Sequence, residues 1–449
     1  MKDLTTGNEG KQIIRFAIPM LIGNVFQQAY HIIDSVIVGH YLGKEALAAV
    51  GASFPIIFCV ISLTIGISMG STVIISQYFG AKDMEKVRRA IDTMNIFLFF
   101  SAISLSILCI IFSRPIFRLL HLPDELLPMA ISFFNIFIAG SVFTFGFNGI
   151  SAILRGMGDS KTPLIFLVLS TVLNIILDFL FIIVFNWGLI SVAFATIISQ
   201  AFALFSSIIY LNRKHPIINI SLKETVFDKG IFIKSFKIGL PTGIQQTFVG
   251  LGMMALMGIV NSFGTNVIAA YTIATRIDSF ASMPAMNLAM ALTSFVGQNI
   301  GARKSERVSN GFMATLKFSS IIAITISLIV FFFGDYLIRA FTTDINVIKI
   351  GHDYLKIVGS FYIAYNAMFV VGGIMRGAGD TFIPMIFTLF SLWIIRIPLA
   401  FALSPRMGPN GIWWSIPIAW ILGTTLNYIY YRTGRWMKKS VIQPRTLNQ

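Results

Sequence analysis

Charge is what this sequence has least of. Only 12% of its 449 residues are Asp, Glu, Lys or Arg, about half of the roughly one quarter that a water-facing domain carries. That scarcity excludes an ordinary soluble enzyme and a disordered chain. Cysteine is nearly missing as well. Cys59 and Cys109 stand alone inside apolar runs, which gives neither a disulfide framework nor a metal spacing. The histidines are scattered, and only His31 falls within an apolar run. No Walker loop, nucleophile motif or metal-ligand spacing is present, so the chain reads as neither an ATP-driven pump nor an enzyme, and no cofactor is expected. Acid is the scarcer sign: 19 Asp+Glu face 34 Lys+Arg, for a net charge of +15. Nucleic-acid-binding proteins gather such a surplus on one solvated face. Here apolar runs separate the basic residues, which excludes a nucleic-acid partner.

What fills the space is apolar: 56% of the residues are hydrophobic and the mean hydropathy is +0.80. A helix needs roughly 20 mostly apolar residues to span a bilayer, because lipid offers its backbone no hydrogen bonds. Twelve runs qualify, near 13–38, 47–76, 94–112, 129–153, 162–185, 189–211, 236–262, 267–297, 314–333, 353–374, 383–403 and 412–431. The first lacks a small-residue cleavage site and is too long for a signal peptide, so it is expected to stay in the membrane. With twelve spans both termini share a side. Twenty-five Lys/Arg then fall on that side and seven on the other, with Arg276 and Arg396 inside helices. The positive-inside rule makes the termini cytoplasmic, in a plasma (inner) membrane.

The chain also repeats itself. SQYFGAKDMEKV after the second run recurs as GQNIGARKSERV after the eighth, and ILRGMGDSKTPLIF after the fourth as IMRGAGDTFIPMIF after the tenth. One constant offset relates both pairs. Gln77, Gly80 and Ala81 return as Gln298, Gly301 and Ala302; Arg155, Gly158 and Asp159 return as Arg376, Gly379 and Asp380. The expected fold is therefore an all-α membrane protein of two pseudo-symmetric six-helix bundles. The boundaries expected are an N-lobe at 1–211, a linker at 212–235, a C-lobe at 236–434 and a cytoplasmic tail at 435–449. Two bundles of equal orientation enclosing a cavity suit a carrier working by alternating access. In the repeated turns, glycine allows tight backbone and the Arg and Asp can serve helix ends.

Ionisable residues at membrane depth are costly and mark functional sites. Asp34, Asp178, Arg276, Asp278 and Arg396 lie away from span ends. Asp34 shares a helix face with Tyr30 and Gln27, one and two turns before it; Asn174 and Asp178 share another at i, i+4. With Thr196 on the sixth span these make an oxygen-rich set, suited to a proton or a hard monovalent cation such as Na⁺. At the repeat offset Asp34 becomes Ala255, Asn174 becomes Ile395, Asp178 becomes Leu399 and Thr196 becomes Pro417. The polar set belongs to the first repeat alone. Asp278 is a candidate to meet cationic substrates, and Asn148 is a candidate lining residue. Six methionines, among them Met253, Met254 and Met257, are candidates for an adaptable apolar lining.

The paired Q-x-x-GA and RG-x-GD-x-x-x-P signatures on six plus six helices resemble the multidrug and toxic compound extrusion (MATE) family of antiporters. The resemblance covers essentially the whole chain. It implies export of small organic, often cationic, drugs or metabolites in exchange for H⁺ or Na⁺, by a monomer in the lipid bilayer. It also implies a coupling ion held at Asp34, Asn174, Asp178 and Thr196, and substrate contact at Gln27. A MATE subgroup with an acidic site in the C-terminal lobe is not matched, since the seventh span offers only Gln245 and Gln246 and the tenth Asn366. A lipid-linked oligosaccharide flippase is the alternative with this architecture. It needs a strongly cationic cavity, and only Arg276 and Arg396 lie deep.

Overall fold

All twelve apolar runs fold as helix. A computed structural model describes residues 2–120, 122–214 and 225–442, so 215–224 of the expected linker and 443–449 of the expected tail lie outside the described residues. The first repeat contains α1 (Glu9–Ile37), α2 (Gly43–Gly80), α3 (Met84–Leu119), α4 (Leu127–Ala139), α5 (Ser141–Gly156), α6 (Lys161–Phe179) and α7 (Ile190–Lys214). The second contains α8 (Lys229–Asn261), α9 (Thr265–Gly301), α10 (Ser305–Arg339), α11 (Ile345–Gly359), α12 (Tyr362–Ala378), α13 (Phe382–Leu389), α14 (Ile397–Met407) and α15 (Pro409–Arg432). Among the described residues, eight helical segments are long and apolar enough to cross a membrane, or up to ten counting each bent pair as one span. One of the eight, Glu9–Gly80, runs 72 residues and takes in the first two expected runs; α15 covers the twelfth.

The repeat is legible atom by atom. Lys82 and its counterpart Arg303 both take a left-handed backbone at φ 60 and 59, as do Gly158 and Gly379 at φ 82 and 97. Asp83 caps α3 by accepting from Lys86 N–H at 3.1 Å, and Asp159 caps α6 by accepting from Lys161 and Thr162 N–H at 3.0 and 3.1 Å. The repeated aspartate is thus a helix cap in the first copy. In the second, Asp380 instead accepts the Tyr430 hydroxyl at 2.6 Å.

Two expected straight spans are broken. α4 and α5 meet at 44°, α11 and α12 at 47°. A bend frees carbonyls that lipid cannot satisfy, and one serine serves each break. Ser106 Oγ donates to the Ile138 carbonyl at 2.7 Å and Ser327 Oγ to the Gly359 carbonyl at 2.6 Å; the two serines are repeat counterparts.

The helices form two compact units. One comprises Met1–Lys2 and Ile22–Gly243, the other Asp3–Leu21 and Ile244–Gln449. α1 and α8 therefore each change unit partway along their length. α8 itself begins at Lys229, ahead of the apolar run at 236, because Asp228 Oδ1 accepts from Ile231 N–H at 2.9 Å. In the first unit α2 and α8 cross backbone to backbone through Gly66, Gly70, Gly239 and Gly243. A Cβ on Gly66 would stand 2.3 Å from Gly243 N, and one on Gly70 2.2 Å from the Ser235 carbonyl oxygen. Small residues four apart on both helices permit this approach. In the second unit α9 is the central helix: 67% of its most apolar stretch is buried, against 22% for α3 and α10. Phe99, Phe100, Ile107 and Ile111 of α3 and Leu328 and Phe332 of α10 are exposed instead, as residues facing lipid tails must be.

Candidate functional site

α1, α6 and α7 bring four of the expected residues together in the first unit. Asp178 is completely buried and Asn174 is 2% exposed; Asp34 and Thr196 are half-buried. The Asn174 amide satisfies both ends in one orientation: its nitrogen donates to Asp178 Oδ2 at 3.0 Å and its oxygen accepts from Thr196 N–H at 3.1 Å. The opposite orientation leaves a 3.5 Å contact from Asn174 Nδ2 to Thr196 Oγ1 and is the poorer choice. Thr196 Oγ1 donates to the Val192 carbonyl at 2.9 Å. Its lone pairs are then free for the Tyr30 hydroxyl, 3.3 Å away, so Tyr30 donates.

The carboxylates are less well served. Asp34 Oδ1 and Asp178 Oδ1 are buried without a hydrogen-bond partner. The two negative charges repel each other, and Tyr30 sits within the field of both. Two ionised carboxylates with neutral neighbours are an expensive arrangement. A shared proton or a small cation relieves it by removing the repulsion and occupying the free oxygens. Such a set of oxygens is suited to reversible ion uptake.

Local backbone contributes a feature that the sequence reading missed. π-helical turns follow both acidic residues, at Val38–Leu42 after Asp34 and at Leu180–Val184 after Asp178; a third, Phe390–Arg396, ends on Arg396. Such turns widen the helix and recur where helices serve a function. The apolar runs carry no periodicity break that would have marked them.

The remaining expected residues lie elsewhere. Gln27 is exposed on α1, about one turn before Tyr30, and Asn148 is half-buried on α5, both in the first unit. Asp278 belongs to the second unit. There Tyr354, Tyr362 and Arg396 lie near its carboxylate, and the two tyrosines are neighbours that a search for charged and amide residues passes over. Gln245 Nε2 donates to Thr388 Oγ1 at 2.7 Å and Asn366 Nδ2 to Ser319 Oγ at 2.8 Å; each is tied to a neighbouring helix. Met253 and Met254 are exposed, while Met257 packs against the core of the second unit.

The chain is similar to known proteins over nearly its whole length. The MatE family model matches residues 19–180 and again 241–402, one match per repeat. The chain is 34% identical over 435 residues to the probable multidrug resistance protein YpnP of Bacillus subtilis (strain 168), covering 97% of each. It is 30% identical over 441 residues to the probable multidrug resistance protein NorM of Thermotoga maritima, covering 96% of this chain and 94% of the relative. A solved outward-facing conformation of a multidrug resistance MATE family transporter of the MOP superfamily superposes with a TM-score of 0.91 at 25% identity, over 98% of this chain and 99% of that one.

Proposed function

Because the chain belongs to the MatE family, and is thus a multi-pass multidrug efflux transporter of the MATE type rather than an enzyme, we propose that it exports small organic, often cationic, compounds in exchange for H⁺ or Na⁺ bound at Asp34 and Asp178. The observation that carries this is the pair of mutually repelling carboxylates, each with one buried, unpartnered oxygen, beside Asn174, Thr196 and Tyr30. The repeat offset supports it: Asp34 has Ala255 as its counterpart and Asp178 has Leu399. A scaffold role shared by both repeats accounts poorly for a set present in only one.

An ion at this site favours whichever state of the carrier binds it better, and drug binding is biased in turn by the same free energy. Gln27, Asn148 and Asp278 are the proposed substrate contacts. Both termini are proposed to be cytoplasmic, which puts the basic loops inside a plasma (inner) membrane, and the chain is proposed to work as a monomer.

Ethidium efflux from proteoliposomes under separately imposed pH and Na⁺ gradients tests the assignment. The wild type is expected to respond to at least one gradient. Asp34→Asn is expected to lower gradient-driven efflux about tenfold or more while equilibrium ethidium binding persists. Full gradient-driven transport by a well-folded Asp34→Asn protein rejects the site.

A further inference from the structure

The N-terminal end of α1 is clamped to α9 and α10, in the opposite half of the chain. Arg307, on the first turn of α10, is the centre of the clamp. Its Nη1 donates to the Gly7 carbonyl at 2.7 Å and to Glu9 Oε1 at 3.0 Å, and its Nε donates to Asn299 Oδ1 at 3.1 Å. Asn299 Nδ2 in turn donates to the Leu4 carbonyl at 3.1 Å. Leu4 N–H donates to Gln298 Oε1 at 2.9 Å and Lys304 Nζ to the Thr5 carbonyl at 2.7 Å. Below these bonds Leu4, Ile13 and Phe16 are 1–4% exposed, in a core with Leu292, Phe295 and Phe312.

The corresponding residues of the other repeat are arranged differently. The first-repeat counterpart of Arg307 is Lys86, which pairs with Asp83 of its own turn at 2.9 Å. The start of α8 is held there by Asp228 N–H donating to Thr93 Oγ1 at 3.0 Å, with Arg89 3.9 Å from Asp228 Oδ2. The arginine-centred clamp belongs to α1, the helix whose other half carries Gln27, Tyr30 and Asp34 in the first unit.

We propose that Arg307 is a positioning residue for transport: it keeps the Leu4–Gln12 stretch fixed to the second unit throughout the cycle, so that ion loading at Asp34 is passed to that unit along α1. A fork of guanidinium donors reaching two backbone carbonyl or carboxylate partners at once is a duty that lysine cannot fully replace. The extent of burial around Leu4 and Phe16 makes a permanent anchor, not a latch that opens every turnover. This inference rests on the cation-site assignment above.

A crosslink provides the test. A Cβ on Gly10 would lie 3.3 Å from Ala314 Cβ, close to the separation a disulfide spans. Gly10→Cys/Ala314→Cys is built in a Cys59→Ser/Cys109→Ser background, and gradient-driven ethidium efflux is followed in vesicles. Oxidised protein is expected to transport within about twofold of its reduced form. Arg307→Ala is expected to lose about tenfold in maximal efflux rate, within the size of usual coupling effects, with the ethidium KM within about twofold. Arg307→Lys falls between, and the disulfide restores the Arg307→Ala rate until reductant is added. A crosslink that stops wild-type transport overturns the proposal, because the stretch must then let go. So does an Arg307→Ala protein that transports normally or that the disulfide fails to rescue. If Arg307→Ala does not fold, the crosslinked wild type still decides. The cation-site reading fails separately, through Asp34→Asn in the same vesicles.

Discussion

Asp278 and Arg396 pose a residue-scale question, because each is a half-buried charge in the otherwise largely apolar second unit. Asp278 Oδ1 and Arg396 Nε both lack a hydrogen-bond partner, yet the two groups attract each other and tyrosine hydroxyls crowd the carboxylate. Removing one member of two opposite charges in a low-dielectric setting leaves the other uncompensated, at a cost that reaches about 3–5 kcal/mol only for a fully buried pair, whereas removing both is far cheaper. Asp278→Asn is therefore expected to lower the thermal unfolding midpoint in detergent clearly, and Asp278→Asn/Arg396→Gln to recover most of the loss. A double variant no more stable than the single one rejects the pairing. Both charges are legible in the sequence as intramembrane, but nothing there shows that they lie near each other, since they stand on separate helices far apart in the chain. Asp34 and Asp178 are easier to join, because their amide, hydroxyl and carboxylate neighbours complement one another chemically. Even so, their free oxygens and the π turns beside them emerge only from the packing of α1, α6 and α7.

At the scale of the element, backbone contact sets what each helix tolerates. Gly66 and Gly70 on α2 and Gly239 on α8 have no room for a side chain, the nearest atoms being backbone, while a Cβ on Gly243 would stand 3.3 Å from Leu63 Cα. Gly258, also on α8, has nothing within 4 Å of where a Cβ would stand. Gly70→Ala is thus expected to destabilise by about 1–3 kcal/mol through overpacking. Gly258→Ala is expected to be neutral or to stabilise by up to ~1 kcal/mol, since alanine is the better helix former. Thermal unfolding of the two proteins in the same detergent separates them; equal midpoints dispose of the crossing as described. These glycine pairs are plain in the sequence, but spacing alone does not say which helix lies opposite. The bends at Gly140 and Ser360 are hidden for a related reason. The carbonyls freed there are satisfied by Ser106 and Ser327 on other helices, partners that no local pattern announces.

For the molecule as a whole, duplication is the most legible property, because one constant offset survives in motifs, left-handed turns and the serines at the two bends alike. What it conceals is that neither structural unit coincides with a sequence repeat. The first unit contains the beginning of α8 up to Gly243, and the second contains Asp3–Leu21. The donated pieces are integral to their hosts: Ile231 and Ile238 are buried in one, and Leu4, Ile13 and Phe16 in the other. Each such side chain is worth about 1.5–3 kcal/mol when taken out of water; in lipid the same positions are held by close packing. Three of them rival a typical domain's net stability of about 5–15 kcal/mol. A polypeptide carrying one repeat alone therefore lacks part of the unit it is meant to form and is left with a piece of the other. Residues 1–220 and 221–449 expressed separately are expected to be degraded or to aggregate in detergent. Co-expressed, they are expected to copurify and to export ethidium under the gradient that drives the intact protein. A monodisperse, thermally cooperative fragment from either half alone would show that the exchanged segments are dispensable, and that sequence repeats and folding units coincide after all.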